Sequence, residues 1–84
     1  MKYKIIYSRK AERFLEKLDK KEEIQLIKKI VQLSENPELG KPLSQNLKNY
    51  RSLRVGGFRV VYEIKKKEIL VYVVKIDKRA VVYR

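Results

Sequence analysis

The stretch Leu53-Arg54-Val55-Gly56-Gly57-Phe58-Arg59-Val60-Val61-Tyr62-Glu63-Ile64 decides the fold. Phe58, Val60, Tyr62 and Ile64 recur with period two, as do Leu53 and Val55, which marks strands with one face toward a core. Between the two runs stands Gly56-Gly57. Glycine reaches the positive φ angles that a two-residue hairpin connection requires, so the chain is predicted to double back here. The alternation turns Leu53, Val55, Phe58, Val60, Tyr62 and Ile64 inward and Arg54, Arg59, Val61 and Glu63 outward.

Downstream, Ile69 to Ile76 is again rich in β-branched and aromatic residues and predicts a third strand, entered through a polar turn at Lys65-Lys66-Lys67. Lysine runs of this kind flank hydrophobic strands and suppress edge aggregation, so the triplet is given no chemistry. Ala80 to Tyr83 reads as a further short strand or an ordered tail. Upstream, residues 37–50 hold Pro37, Gly40, Pro42 and several Asn and Ser, the composition of an irregular connection.

The N-terminal part completes the pattern. Tyr3, Ile5 and Tyr7 alternate with Lys2, Lys4 and Ser8 and predict a short strand. Ser8 is placed to cap a helix whose apolar positions are Ala11, Phe14, Leu15 and Leu18. Asp19 and Glu22 have capping-box spacing and open a second helix carrying Ile24, Ile27, Ile30 and Val31, with Leu26 and Leu33 widening the stripe. Asn36-Pro37 ends it, because a residue before proline is driven out of helical dihedrals. The order β-α-α-β-β-β with short links predicts an α+β fold. Its N-terminal strand and helical hairpin pack on one face of a small antiparallel β-sheet, in a single domain spanning 1–84.

Composition narrows the function. The 84 residues carry 22 Lys and Arg against 10 Asp and Glu, a net charge of +12, with no histidine and no cysteine. Disulfides, thiol nucleophiles, imidazole bases and zinc fingers are thereby excluded, and no cofactor or metal is expected. No stretch reads as a signal peptide, and the longest apolar run, Ile69 to Val74, is far short of the roughly 18 residues of a membrane span, so a cytoplasmic protein is expected. The basic excess is uneven: residues 1–35 hold ten basic and six acidic side chains, residues 36–84 twelve and four. The half predicted as sheet therefore carries most of the charge. An anionic partner follows, either nucleic acid or an acidic protein.

Arg54 and Arg59 stand out because alternation puts both on the outer sheet face, on either side of the Gly56-Gly57 turn. They read either as phosphate contacts or as solvated strand residues paired with Glu63. Of the six tyrosines, Tyr3, Tyr7, Tyr62 and Tyr72 fit core or half-buried strand positions. Tyr50 and Tyr83 remain as candidates for base stacking, with Tyr83 favoured beside Arg79 and Arg84.

The stretch from Leu53 to Tyr62, followed by Ile76-Asp77-Lys78-Arg79-Ala80-Val81-Val82-Tyr83, resembles the RelE/ParE superfamily of toxins from type II toxin-antitoxin systems, over nearly the whole chain. The resemblance implies a RelE-like fold and, for the RelE branch, a ribosome-dependent messenger-RNA endonuclease. Such an enzyme cleaves in the ribosomal A site by attack of the 2′-hydroxyl on the adjacent phosphodiester, without a metal. It also implies a cognate acidic antitoxin of the RelB kind, with the ribosome and messenger RNA as further partners. By position, Arg59 would stabilise the scissile phosphate, Arg79 the phosphate and leaving oxygen, and Tyr83 would orient a base. Arg54 matches a basic position linked to activating the 2′-hydroxyl, and Lys48, Arg51 and Lys78 would supply RNA-backbone contacts. The chain departs from some relatives in having Lys78 where they place a histidine, and no glutamate is an evident base. The alternative that the resemblance leaves open is a ParE-like toxin that binds DNA gyrase without nuclease activity. A third is a member that retains only antitoxin binding.

Overall fold

In a computed structural model, residues 2–44 and 47–78 are described, without the side chains of Leu47 and Lys48. The elements run β1 (Lys4–Tyr7), α1 (Arg9–Glu16), α2 (Lys20–Val31), β2 (Lys41–Ser44), β3 (Leu47–Val55), β4 (Phe58–Lys65) and β5 (Leu70–Lys78), with single 3-10 turns at Gln32–Ser34 and Pro37–Leu39. The strands form one sheet in the order β1-β5-β4-β3-β2. The α+β class holds, as does the hairpin: Val55 pairs with Phe58, and Gly56 alone of the two glycines has a positive φ, 55°.

Both predicted caps form. Ser8 Oγ accepts from Ala11 N at 3.0 Å and Asp19 Oδ1 from Glu22 N at 2.9 Å. Each satisfies a backbone donor that the helix start leaves without an intrahelical partner. α1 lies over β5 and α2 over β3, and Ala11, Leu15, Leu26, Ile30 and Leu33 meet Leu53, Val55, Phe58, Val60, Tyr62, Ile64, Val71, Val73 and Ile76 in one core. Phe14 and Phe58 stack edge to face at 5.9 Å across that boundary.

Three expectations are corrected. The sheet is mixed, because β1 pairs parallel with β5, Ile5 beside Val71 and Tyr7 beside Val73. The two helices intervene between β1 and the rest, so the chain re-enters the sheet at its far side. Residues 37–50 are not wholly irregular: Lys41–Ser44 forms an edge strand against β3, whose start is already at Leu47. All four β2 residues are exposed, so the segment carries no alternation to read, and Pro42 is tolerated because an edge leaves one side of the backbone unpaired. The buried stripe of α2 is Leu26, Ile30 and Leu33, while Ile24 and Val31 are about half exposed. These positions differ by about a third of a turn, and only packing against β3 chooses between them.

β5 carries an irregularity of its own. Val61 pairs with Lys75 but Tyr62 with Val73, so Val74 is an extra residue, a β-bulge. The bulge brings Val71, Val73 and Ile76 all to the core, which strict alternation cannot do. It also sends Tyr72 to the outer face, beside Glu63. Val61 keeps its outward position opposite Ser52 and Lys75, yet is only 6% exposed and stands apart from the core cluster. Arg79 and the segment from Ala80 to Tyr83 lie outside the described residues.

A basic groove at the open edge of strand 3

β2 ends its pairing with β3 at Lys41 opposite Ser52, so among the described residues the last three of β3, Leu53 to Val55, have no strand on that side. A groove of about 560 Å³ occupies the place, bounded by Leu39, Gly40 and Lys41 on one side, by Lys29 of α2, and by Ser52, Arg54 and Arg59 on the sheet. Among the described lining residues, four cations thus share one concavity with no acidic side chain. Such a wall concentrates anions by summed potential as well as by contact.

Arg54 and Arg59 are direct cross-strand partners, with Asp77 next in the row on β5. Arg54 is exposed and Arg59 half-buried. Sequence alternation therefore located both on one face, while Glu63, considered as their partner, instead pairs with Lys65 at 3.8 Å. Asp77 pairs with Lys75 at 3.3 Å.

The groove's outer wall is fixed by hydrogen bonds no motif announced. Tyr62 is fully buried, and its hydroxyl donates to Pro37 O at 2.6 Å and accepts from Gly40 N at 2.9 Å. Burial pushes this hydroxyl's pKa up, and the Gly40 amide and the Arg51 charge oppose the shift. Arg51 Nη1 donates to Glu38 O and to Gly40 O. A Cβ at Gly40 would sit 2.7 Å from Ser52 O and 2.8 Å from the Tyr62 hydroxyl, so only glycine lets the wall come this close.

Of the other residues singled out from sequence, Arg51 stands opposite Tyr62, on the opposite side of β3 from Arg54, and is engaged by the wall. Lys78 ends β5 exposed and opposite Phe58, so alternation sets it away from Arg59 as well. The side chain of Lys48 and all of Arg79 and Tyr83 lie outside the described residues. Lys29 and Lys41 were missed; Lys41 lay in the stretch read as irregular, and Lys29 reaches the groove only once α2 is docked. Among the described residues no group of three Asp or Glu comes together as a metal site, and no helix is long and apolar enough to cross a membrane.

Comparison with known proteins fits this architecture. The family model described as the ParE toxin of type II toxin-antitoxin system, parDE, matches residues 5–83. A RelE-like toxin protein of Escherichia coli is 31% identical over 81 residues, covering 94% of this chain and 85% of its own. The toxin-antitoxin complex RelBE2 of Mycobacterium tuberculosis contains a chain that superposes with TM-score 0.83 at 29% identity, over 95% of this chain and 94% of that one. The isolated RelE toxin of Escherichia coli superposes with TM-score 0.78 at 25% identity, over 90% and 83%. The chain belongs to the RelE/ParE superfamily of toxins of type II toxin-antitoxin systems. An archaeal RelE-RelB complex from Pyrococcus horikoshii, 19% identical, shares the fold at TM-score 0.80 over 98% and 100%.

Proposed function

We infer that this toxin acts as a ribosome-dependent endoribonuclease on messenger RNA in the ribosomal A site. The observation that carries the reading is the direct opposition of Arg54 and Arg59 beside Lys29 and Lys41. Like charges facing each other across a strand pair weaken a sheet. A phosphodiester held at this point meets both guanidinium groups at once, and it is an anion whose charge grows during reaction.

In this reading the 2′-hydroxyl attacks the adjacent phosphorus and the bond to the 5′-oxygen breaks, leaving a 2′,3′-cyclic phosphate and a 5′-hydroxyl. Arg59 holds the non-bridging oxygens, where a guanidinium fork stays charged and matches two oxygens at once. Arg54 stands nearest the attacking hydroxyl, Arg79 neutralises charge toward the leaving oxygen, and Tyr83 orients a base. Unperturbed arginine and tyrosine titrate near 12 or above and near 10, so neither abstracts a proton well at neutral pH. The acceleration then rests on in-line orientation and charge stabilisation, which a messenger already bent in the ribosome supplies cheaply. Lys29 and Lys41, with Lys48, take backbone phosphates, while Arg51 serves the groove wall and Lys78 lies away from the groove. An acidic RelB-like antitoxin would hold the toxin inactive in the cytoplasm; the RelBE2 complex among the similar structures supports that partner.

The match to the ParE family model favours a second reading, a gyrase-binding toxin without nuclease activity. Cell-free translation of a defined messenger separates the two. Cuts mapped by primer extension that need ribosomes and vanish in Arg59→Ala and Arg79→Ala support the nuclease. Intact messenger with inhibited DNA supercoiling supports the gyrase reading.

A further inference from the structure

The outer sheet face, away from both helices, can be laid out row by row from the strand register. One row is Arg54, Arg59 and Asp77; the next is Lys41, Ser52, Val61 and Lys75; the third is Tyr50, Glu63, Tyr72 and Ile6; the last includes Lys65, Leu70 and Lys4. The third row puts two half-buried tyrosines on one surface, two strand spacings or about 10 Å apart. Tyr72 is there only because Val74 bulges; unbroken alternation from Ile76 would have turned it into the core. Val61, buried in the neighbouring row, gives this face an apolar floor distinct from the core.

Cations flank the aromatic row on both sides: Lys41 and Lys75 toward the arginines, Lys4 and Lys65 toward the β4–β5 turn. The two carboxylates on the face are each within ion-pair distance of a lysine two residues away. Rings on a sheet surface between basic rows are complementary to single-stranded nucleic acid, whose bases stack while its phosphates meet the charges.

We propose that Tyr50 and Tyr72 form a nucleobase-stacking platform for single-stranded RNA on the outer sheet face, continuous through Ser52 and Arg54 with the basic groove. This deepens the nuclease reading and rests on it for the identity of the strand. Binding to the platform is nevertheless measured without ribosomes or cleavage. Glu63, between the rings, is placed to accept from the exocyclic amino group of a stacked base.

The test uses the full chain and a single-stranded RNA 10-mer carrying 2-aminopurine, with inorganic polyphosphate as an anion that has no bases. Stacking quenches the aminopurine. The expected result is quenching by the parent and by Tyr50→Phe and Tyr72→Phe, whose rings still stack. Tyr50→Ala and Tyr72→Ala should each lose quenching and bind the 10-mer roughly 5- to 100-fold more weakly. Polyphosphate affinity should be unchanged in all four, which shows that their charge is intact, and far-ultraviolet circular dichroism shows that the alanine variants remain folded. Alanine variants that bind and quench like the parent overturn the proposal, as does a parent that binds without quenching. An RNA-indifferent face whose alanine variants instead lose an acidic protein partner also overturns it, in favour of a protein occupant. Failure of ribosome-dependent cutting with quenching intact overturns the nuclease reading and leaves the platform standing.

Discussion

Ser8 holds two parts of the fold with one hydroxyl, and its substitutions separate them. The oxygen accepts from Ala11 N at 3.0 Å, capping α1, and the same group donates to Val74 O at 2.7 Å, the carbonyl of the bulged residue. Ser8 N also donates to Val73 O at 2.9 Å. Loss of a serine cap costs about 1 kcal/mol, and a partly buried carbonyl left without its donor about 1 kcal/mol more. Ser8→Ala should therefore lower unfolding free energy by about 2 kcal/mol, or roughly 8 to 16 °C in melting temperature for a chain of this size. Ser8→Asp keeps an acceptor for Ala11 and places negative charge at the helix start, yet has no proton for Val74, so it should cost only about 1 kcal/mol. Ser8→Thr retains both bonds and should stay within about 0.5 kcal/mol. Urea unfolding followed by far-ultraviolet circular dichroism measures all three. If Ser8→Asp matches Ser8→Thr, the bond to the bulge contributes nothing. If Ser8→Ala costs less than about 0.5 kcal/mol, both halves of the reasoning fail.

Tyr62→Phe keeps the buried ring but strips the partner from Gly40 N and Pro37 O, which should cost about 1 to 3 kcal/mol; a loss below about 0.5 kcal/mol would show the wall is held elsewhere. Because burial raises the folded pKa of Tyr62 above its unfolded value near 10, its contribution is complete below about pH 10 and declines as pH rises through the folded value. The parent should accordingly lose stability in alkali more steeply than Tyr62→Phe, read from urea midpoints at pH 8 to 11. Gly56→Ala should cost about 1 to 2 kcal/mol through its positive φ, whereas Gly57→Ala, whose Cβ meets nothing within 4 Å, should change stability little; equal effects would contradict the turn geometry. Ile69 holds a φ of 54°, a costly conformation for a β-branched side chain, and Ile69→Asn should raise the thermal midpoint; a lowered midpoint would mean that its half-buried contacts outweigh the strain.

Where the chain announces its own constraints, the sequence was legible. The Gly56-Gly57 hairpin, the two caps and the outward arginines follow from local chemistry: positive φ, unsatisfied helix donors and the two-residue period of a strand. What was missed depends on partners far along the chain. Pairing of β1 with β5 joins residues more than sixty apart, and a four-residue edge strand carries no hydrophobic signal. The bulge at Val74 was the costliest omission, because a single extra residue reverses inside and outside for everything before it. Val71, Val73 and Ile76 hinted at it, since residues spaced two and then three apart cannot share one face of an unbroken strand. For the groove, Arg54 and Arg59 are visible from alternation, but Lys29 needs the docking of α2, and no local pattern announces the bonds of Arg51 to the loop.

The facing of Arg54 and Arg59 gives stability and function opposite signs at one place, and so a test of purpose. Two guanidinium groups directly across a strand pair repel, by several tenths of a kcal/mol in a solvated sheet. Were the pair a passive surface feature, Arg54→Ala would relieve the same repulsion but leave polyanion binding and its salt slope unchanged. If the pair exists to receive a phosphate, Arg54→Ala should leave stability unchanged or raise it by up to about 0.5 kcal/mol in low salt, while weakening polyanion binding. The logarithmic salt dependence of that binding should become shallower by nearly one unit, the signature of one lost phosphate contact. Loss of stability together with an unchanged salt slope would instead make Arg54 a structural residue, and the groove would then need a different account of its charge.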